Sequence, residues 1–327
     1  MGLEMEDILK WQLEVTGIKK YHDLGYKGKG ITVLNHETTD HGGKALSIIK
    51  EIAPEATFLE ANVSQVSNSK QLLKYNWQIN GNTYTFEEMM KKFKPDIISV
   101  SLAGEECKER DELIKPYIER GEVVFCNSTG NDGPKYEYDK KSGIRGMYKN
   151  IALMVGACYF HNSKDNIQIQ SYSGRDEESP NVDYVGFCWD WGGTSAACPF
   201  VAGQLALFMS RFGKMSQAQI KESLKPYCKD LGDEGYDWVY GDGLIVLPDK
   251  LDIAIDNKEN DSEQEEVLSE MKFYDVPVDR WSYDEIKWAN DIGLVTGFPD
   301  GSFRPTDGLT REQICVILKR FYELIQK

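Results

Sequence analysis

The chain has 327 residues, 41% of them hydrophobic, and its 38 basic and 53 acidic side chains give a formal net charge of −15. That length suits about two domains with a sizeable core, and the acidic balance argues against nucleic acid or an anionic membrane surface as the main partner. Seven cysteines with no CxxC spacing fit a reducing compartment better than a disulfide framework.

The opening MGLEMEDILKWQLEV is acidic and broken by charges, with neither a basic n-region nor an apolar h-region, so no secretory signal is expected. No apolar run is long enough to cross a bilayer. Short β-rich runs then alternate with helical patterns. GITVLN (30–35) is predicted as a buried strand and HGGKALSIIKEI (41–52) as a helix. ATFLEANV (56–63) reads as a strand, TFEEMMKKF (85–93) as a helix, DIISVSL (96–102) as a strand, ERDELIKPYIERG (109–121) as a helix and EVVFCNSTG (122–130) as a strand. Continuous apolar strands between helices predict an α/β fold with a mostly parallel, doubly wound sheet covered on both faces. In such sheets the working groups gather at the carboxyl ends of the strands. That rule selects Asn35, His41 and the stretches 101–104 and 129–133.

Further along come NIALMVGAC (150–158), GGTSAACPFVAG (192–203) and SQAQIKESLKPYC (216–228). Ser195, at the mouth of a helix among small residues, has two readings. It is an N-cap, whose hydroxyl accepts a backbone N–H, or a nucleophile placed where helix N–H groups and dipole favour developing negative charge. Residues 256–267, DNKENDSEQEEV, are charged and poor in apolar side chains. They predict an acidic linker over 256–270 between a domain at 1–255 and a small α-helical unit at 271–327. That unit reads as helix, GFPDGSFRP turn and a second helix with Thr310 as N-cap.

Taken together, these motifs resemble the subtilisin-type serine peptidases. GGTSAACPFVAG is similar to the nucleophile motif GTSxAxPxVAG at every fixed position. HGGKALSIIKEIAPEATF resembles the histidine motif, with Gly43 and Lys44 departing from it, and VVFCNSTGNDG resembles the strand that carries the oxyanion asparagine. ISVSLAG resembles the substrate-pairing strand, and DWVYGDGLIVLP (237–248) the closing segment. The resemblance runs in order through residues 11–248. It implies a subtilisin-like fold and a serine endopeptidase, with Ser195 as nucleophile, His41 as general base and Asn131 in the oxyanion hole. Ser99, Ser101, Leu102, Gly104, Thr129 and Gly130 would bind a polypeptide substrate, with the 99–104 strand pairing by strand addition. No cofactor is implied. A structural calcium ion at DLGDEGYD (230–237) is an alternative to a plain turn there.

The third triad position is the departure. In ITVLNHE the residue in the aspartate's place is Asn35, which predicts its side chain within hydrogen-bond reach of His41 Nδ1; Glu37 and Asp40 are the alternatives. An amide there implies a slow or selective enzyme, or a catalytically impaired pseudo-peptidase that holds peptides as a binding or scaffold protein. Trp189 and Trp191 either shape the primary specificity pocket or belong to the core. Residues 271–324 resemble a single S-layer homology module, whose relatives bind cell-wall polymers. Without an export signal, the expectation is a cytoplasmic or phage-associated protein. The module would meet a wall polymer only after non-classical release, or would dock a protein partner.

Overall fold

The structure is a computed structural model, and it describes residues 5–37, 39–62, 77–134, 143–160, 166–188, 192–250, 273–277, 280, 282–298 and 300–325. The chain divides into two compact units, Met1–Ile255 and Asp256–Lys327. The predicted linker and the two tryptophans, Trp189 and Trp191, lie outside the described residues.

In the first unit, helices α1 (Met5–Val15) and α2 (Ile18–Asp23) precede strand β1 (Thr32–Glu37), helix α3 (Thr39–Ile52) and strand β2 (Thr57–Asn62). A hairpin of β3 (Trp77–Ile79) and β4 (Asn82–Tyr84) follows, then α4 (Phe86–Phe93), β5 (Ile97–Val100), α5 (Lys108–Glu119), β6 (Val124–Ser128), β7 (Leu153–Phe160), β8 (Ile167–Ile169) and β9 (Tyr184–Phe187). The long helix α6 (Thr194–Phe212), α7 (Gln217–Leu224) and the short strands β10 (Cys228–Lys229) and β11 (Leu244–Ile245) complete it. The sheet order is β10-β11-β9-β7-β6-β5-β1-β2-β3-β4, with β8 paired to β7. β2, β1, β5, β6, β7, β9 and β11 run parallel to one another. This is the mostly parallel, doubly wound sheet that the alternating pattern predicts.

Both faces are covered because both faces are apolar. On one side Val33, Ile97, Val124 and Val155 pack against α3 and α6. α6 is buried along most of its length, and Gly203 lets α3 approach it: a Cβ there would lie 2.8 Å from Ile52 Cβ. On the other side Leu34, Ile98, Phe125 and Met154 pack against Phe86 and Met89 of α4 and Ile114 of α5. The β3–β4 hairpin has no counterpart among the sequence expectations, although Asn80-Gly81, with φ of 51° and 77°, supplies the Asn-Gly hairpin turn.

The second unit contains α8 (Tyr283–Asp291) and α9 (Arg311–Ile325) around a small cluster of Phe273, Val276 and Ile286. Thr310 opens α9 as predicted: its hydroxyl accepts from Gln313 N, and Gln313 Oε1 accepts from Thr310 N. The turn before it is organised by Asp275, whose carboxylate accepts the N–H groups of Phe303 and Arg304 at 2.8 Å each; these bonds lower its pKa from the usual value.

Candidate active site

β1 runs two residues beyond the predicted end and α3 begins two residues before His41. This longer strand rearranges the candidate site. Side chains alternate along a strand, so Asn35 and Glu37 share one face and His36 takes the other. His36 is buried and stacked on Trp77, with ring centroids 3.9 Å apart, and burial lowers its pKa to about 3. It is therefore held neutral, away from the cleft.

Glu37 is 1% exposed. Its Oε2 lies 2.9 Å from His41 Nδ1, and its Oε1 accepts from Ser101 N at 2.7 Å. The hydrogen bond to Glu37 is the largest influence on His41 and raises its pKa from the ordinary value; burial opposes it, the charge of Glu37 adds to it and Lys44 works against it. Asn35 does not reach His41 Nδ1. Its Nδ2 donates to Gly42 O at 2.9 Å. The expectation that Asn35 partners the imidazole is corrected here: Glu37, one strand period further on, projects beyond it to the ring. Asp40 lies in the first turn of α3, and its side chain is outside the described residues.

Ser195 sits in the first turn of α6, after Gly192 and Gly193 with φ of 74° and 83°. Both are conformations that glycine adopts without strain. The Ser195 hydroxyl donates to Ser101 O at 3.3 Å and caps no N–H group of α6. Pro199, four residues on, has no N–H for the Ser195 carbonyl, and the Ser101 hydroxyl donates to that carbonyl instead, at 3.0 Å. Ser101 thus touches Glu37 through its N–H and Ser195 through its hydroxyl and carbonyl.

Asn131 Oδ1 accepts from both the N–H and the hydroxyl of Thr194, at 2.9 and 3.0 Å. A backbone N–H can only donate, so the amide oxygen is pinned there and the NH₂ end is turned from Thr194. A Cβ on Gly193 would lie 3.2 Å from Asn131 Nδ2. His41, Asn131, Tyr172, Gly192, Gly193 and Ser195 line one open cleft of about 570 Å³. Tyr172, absent from the sequence expectations, accepts from Gly193 N at 3.0 Å through its hydroxyl, and burial raises its pKa to about 12. Only tertiary proximity reveals it.

The expected substrate residues separate into groups. Ser99 is interior, in register with Asn35 and Cys126. Leu102 O accepts from Met147 N, and Gly104 N donates to Arg145 O. Thr129 O accepts from Arg145 N, Gly130 N donates to Thr194 Oγ1, and Gly130 O accepts from Gly174 N. These backbone groups are already used within the chain, so within the expected 99–104 pairing strand Leu102 O and Gly104 N are taken by residues 145–147. Ala103, opposite Gly146 in an antiparallel bridge, has its own N–H and C=O directed away from residues 145–147. It lies within the 99–104 strand expected to pair with substrate, although it was not singled out there. In the 230–237 loop, Asp230 and Asp237 accept backbone N–H groups, including those of Gly235, Val239 and Tyr240. Among the described residues no group of three His, Cys, Asp or Glu is placed to hold a metal ion.

Comparison with known proteins agrees with this architecture. The subtilase family model matches residues 30–243 and the S-layer homology domain model residues 272–315. The major intracellular serine protease of Bacillus subtilis (strain 168) is 31% identical over 185 residues, 54% of this chain and 54% of that protein. Subtilisin E of the same organism is 27% identical over 199 residues, 59% of this chain and 49% of the relative. The chain spans about half the length of these curated relatives. Among solved structures, MycP1 with its N-terminal propeptide removed superposes with a TM-score of 0.55 at 16% identity, over 74% of this chain and 98% of that one. The chain belongs to the subtilase family of serine peptidases and carries an S-layer homology domain.

Proposed function

We propose that the chain is a serine endopeptidase in which Ser195 is the nucleophile, His41 the general base and Glu37 the third member of the triad. Ser195 Oγ attacks the scissile carbonyl while His41 takes its proton, then returns it to the leaving amine. Glu37 holds the Nδ1–H tautomer and stabilises the imidazolium. The tetrahedral oxyanion is bound by Asn131 Nδ2 and the Ser195 N–H at the head of α6. Extended substrate pairs with the free edge at Ala103. The observation that carries this reading is the 2.9 Å contact of a buried glutamate with His41, in a cleft that Ser195 and Asn131 also line. The expectation of a slow enzyme, and the scaffold alternative, rested on Asn35; with a carboxylate against His41 the site offers no reason for either. The S-layer homology domain supports attachment to a cell-wall polymer or a surface protein, which would hold the peptidase at the cell envelope.

Labelling with a fluorophosphonate tests the reading, because the reagent needs an activated serine and a formed oxyanion hole. The parent chain should be labelled and Ser195→Ala should not. An unlabelled parent, or a labelled Ser195→Ala, overturns the assignment.

A further inference from the structure

We propose that Asn35 is a positioning residue for the Glu37–His41 pair, and that position 35 needs an amide because the buried carboxylate stands two residues further along β1. The inference rests on the Glu37 reading above. Asn35 is 1% exposed, and its Nδ2 donates to Gly42 O at 2.9 Å. Gly42 follows His41 directly, so this bond fixes the backbone beside the imidazole. A Cβ on Gly42 would lie 3.1 Å from Glu37 Cβ and 3.5 Å from Asn35 Nδ2. The first turn of α3 therefore rests on these two side chains.

The orientation of the amide follows from chemistry. Gly42 O can only accept, so the nitrogen faces it, which leaves Asn35 Oδ1 buried with no hydrogen-bond partner. A buried acceptor without a donor is destabilising. A leucine of similar size would avoid the orphaned oxygen and would lose the bond to Gly42. A polar group kept at such a cost, two residues from Glu37, points to function rather than to stability.

An aspartate at position 35 behaves differently. Ionised, it would aim a carboxylate at a carbonyl oxygen and bury a second negative charge on the strand face that already holds Glu37. Protonated, its O–H would donate to Gly42 O as the amide does. Among the described residues, the charged groups that shift His41 include Glu37 on β1 and Lys44 on α3. Cys198 on α6 has its pKa raised to about 12, chiefly by burial with a smaller contribution from Glu37, and stays neutral across the working range.

The test uses the full chain with Asn35→Leu, Asn35→Ala, Asn35→Asp and Glu37→Gln. For each, fluorophosphonate labelling is measured from pH 5 to 9 and resolved into binding and maximal rate, with thermal midpoints alongside. Asn35→Leu and Asn35→Ala should label roughly 10- to 100-fold more slowly at saturation, as expected for a misplaced base. Reagent affinity should change little. The acid limb should move to lower pH, towards that of Glu37→Gln, and Asn35→Leu should melt no lower than the parent. Asn35→Asp should fall further behind the parent as pH rises and its carboxyl ionises. The proposal is overturned if Asn35→Leu and Asn35→Ala keep the parent's rate and acid limb. It is equally overturned if they slow only in step with a lower midpoint while the limb stays in place, or if Asn35→Asp outpaces the parent at every pH. A Glu37→Gln chain that labels like the parent refutes the Glu37 reading and this inference with it. A slow Glu37→Gln beside an unchanged Asn35→Leu refutes this inference alone.

Discussion

Replacing Glu37 by glutamine keeps the shape of the side chain and changes what it can do. Its Oε1 can still accept from Ser101 N, which lies 2.7 Å away in the parent. The NH₂ end then faces His41 Nδ1, where Glu37 Oε2 stood 2.9 Å away. Two donors cannot share that contact, so the imidazole is driven to the tautomer with its proton on Nε2, which cannot take the proton of Ser195. In the well-characterised chymotrypsin-type triad, an amide in place of the carboxylate lowers turnover by about 10⁴. At about 1.36 kcal/mol per decade, that is a loss of roughly 5 kcal/mol of transition-state stabilisation. The pH profile supplies an independent sign. Activity needs neutral His41, and its hydrogen bond to Glu37 raises the pKa. Removing the carboxylate should therefore lower the plateau and move the acid limb to lower pH. Stability follows the same linkage. A group whose pKa is raised on folding stabilises fully below its unfolded value, about 6.5 for histidine, and that stability is lost as pH rises through the folded value. The midpoint advantage of the parent over Glu37→Gln should thus be larger near pH 5.5 than near pH 9. The assay is the rate of fluorophosphonate labelling against pH, with thermal melts at the two extremes. A variant that labels within threefold of the parent, on an unmoved acid limb, would refute the reasoning.

Asn131→Leu should lower turnover by about 10²–10³ with little change in substrate affinity, because an oxyanion donor acts mainly in the transition state; a change confined to KM in steady-state peptide hydrolysis would count against the role. Gly42→Ala places a Cβ 3.1 Å from Glu37 Cβ. It should cut the labelling rate at least about tenfold by shifting His41, whereas unchanged labelling in a folded variant would show that the junction yields. A chain ending at residue 255 should unfold cooperatively in calorimetry, since the first compact unit closes there. Loss of a transition would mean that it depends on the S-layer homology unit.

The parallel sheet was legible because its strands are buried on both faces, and continuous apolar runs such as IISV and VVF have no solvated alternative. That Ser195 and Asn131 come to one cleft was legible because glycines and small residues around them answer local demands: left-handed backbone at Gly192 and Gly193, and close approach to Asn131. The capping of α9 by Thr310 is equally local. Which side chain stands against His41 Nδ1 was not legible, since Asn35, Glu37 and Asp40 all lie within reach of His41 along the chain. Its choice depended on where β1 stopped. Pairing with β2 continues through Glu37↔Asn62, and those extra rungs carry Glu37 up to the imidazole while leaving Asn35 beneath Gly42. Strand length is set by what the neighbouring strands offer to pair with, which no local pattern encodes. The outward-facing backbone of Ala103, Tyr172 at Gly193 and the use of Leu102, Gly104 and Thr129 by residues 145–147 were hidden for the same reason. Each is decided by a segment distant along the chain, and only the folded sheet brings those segments together.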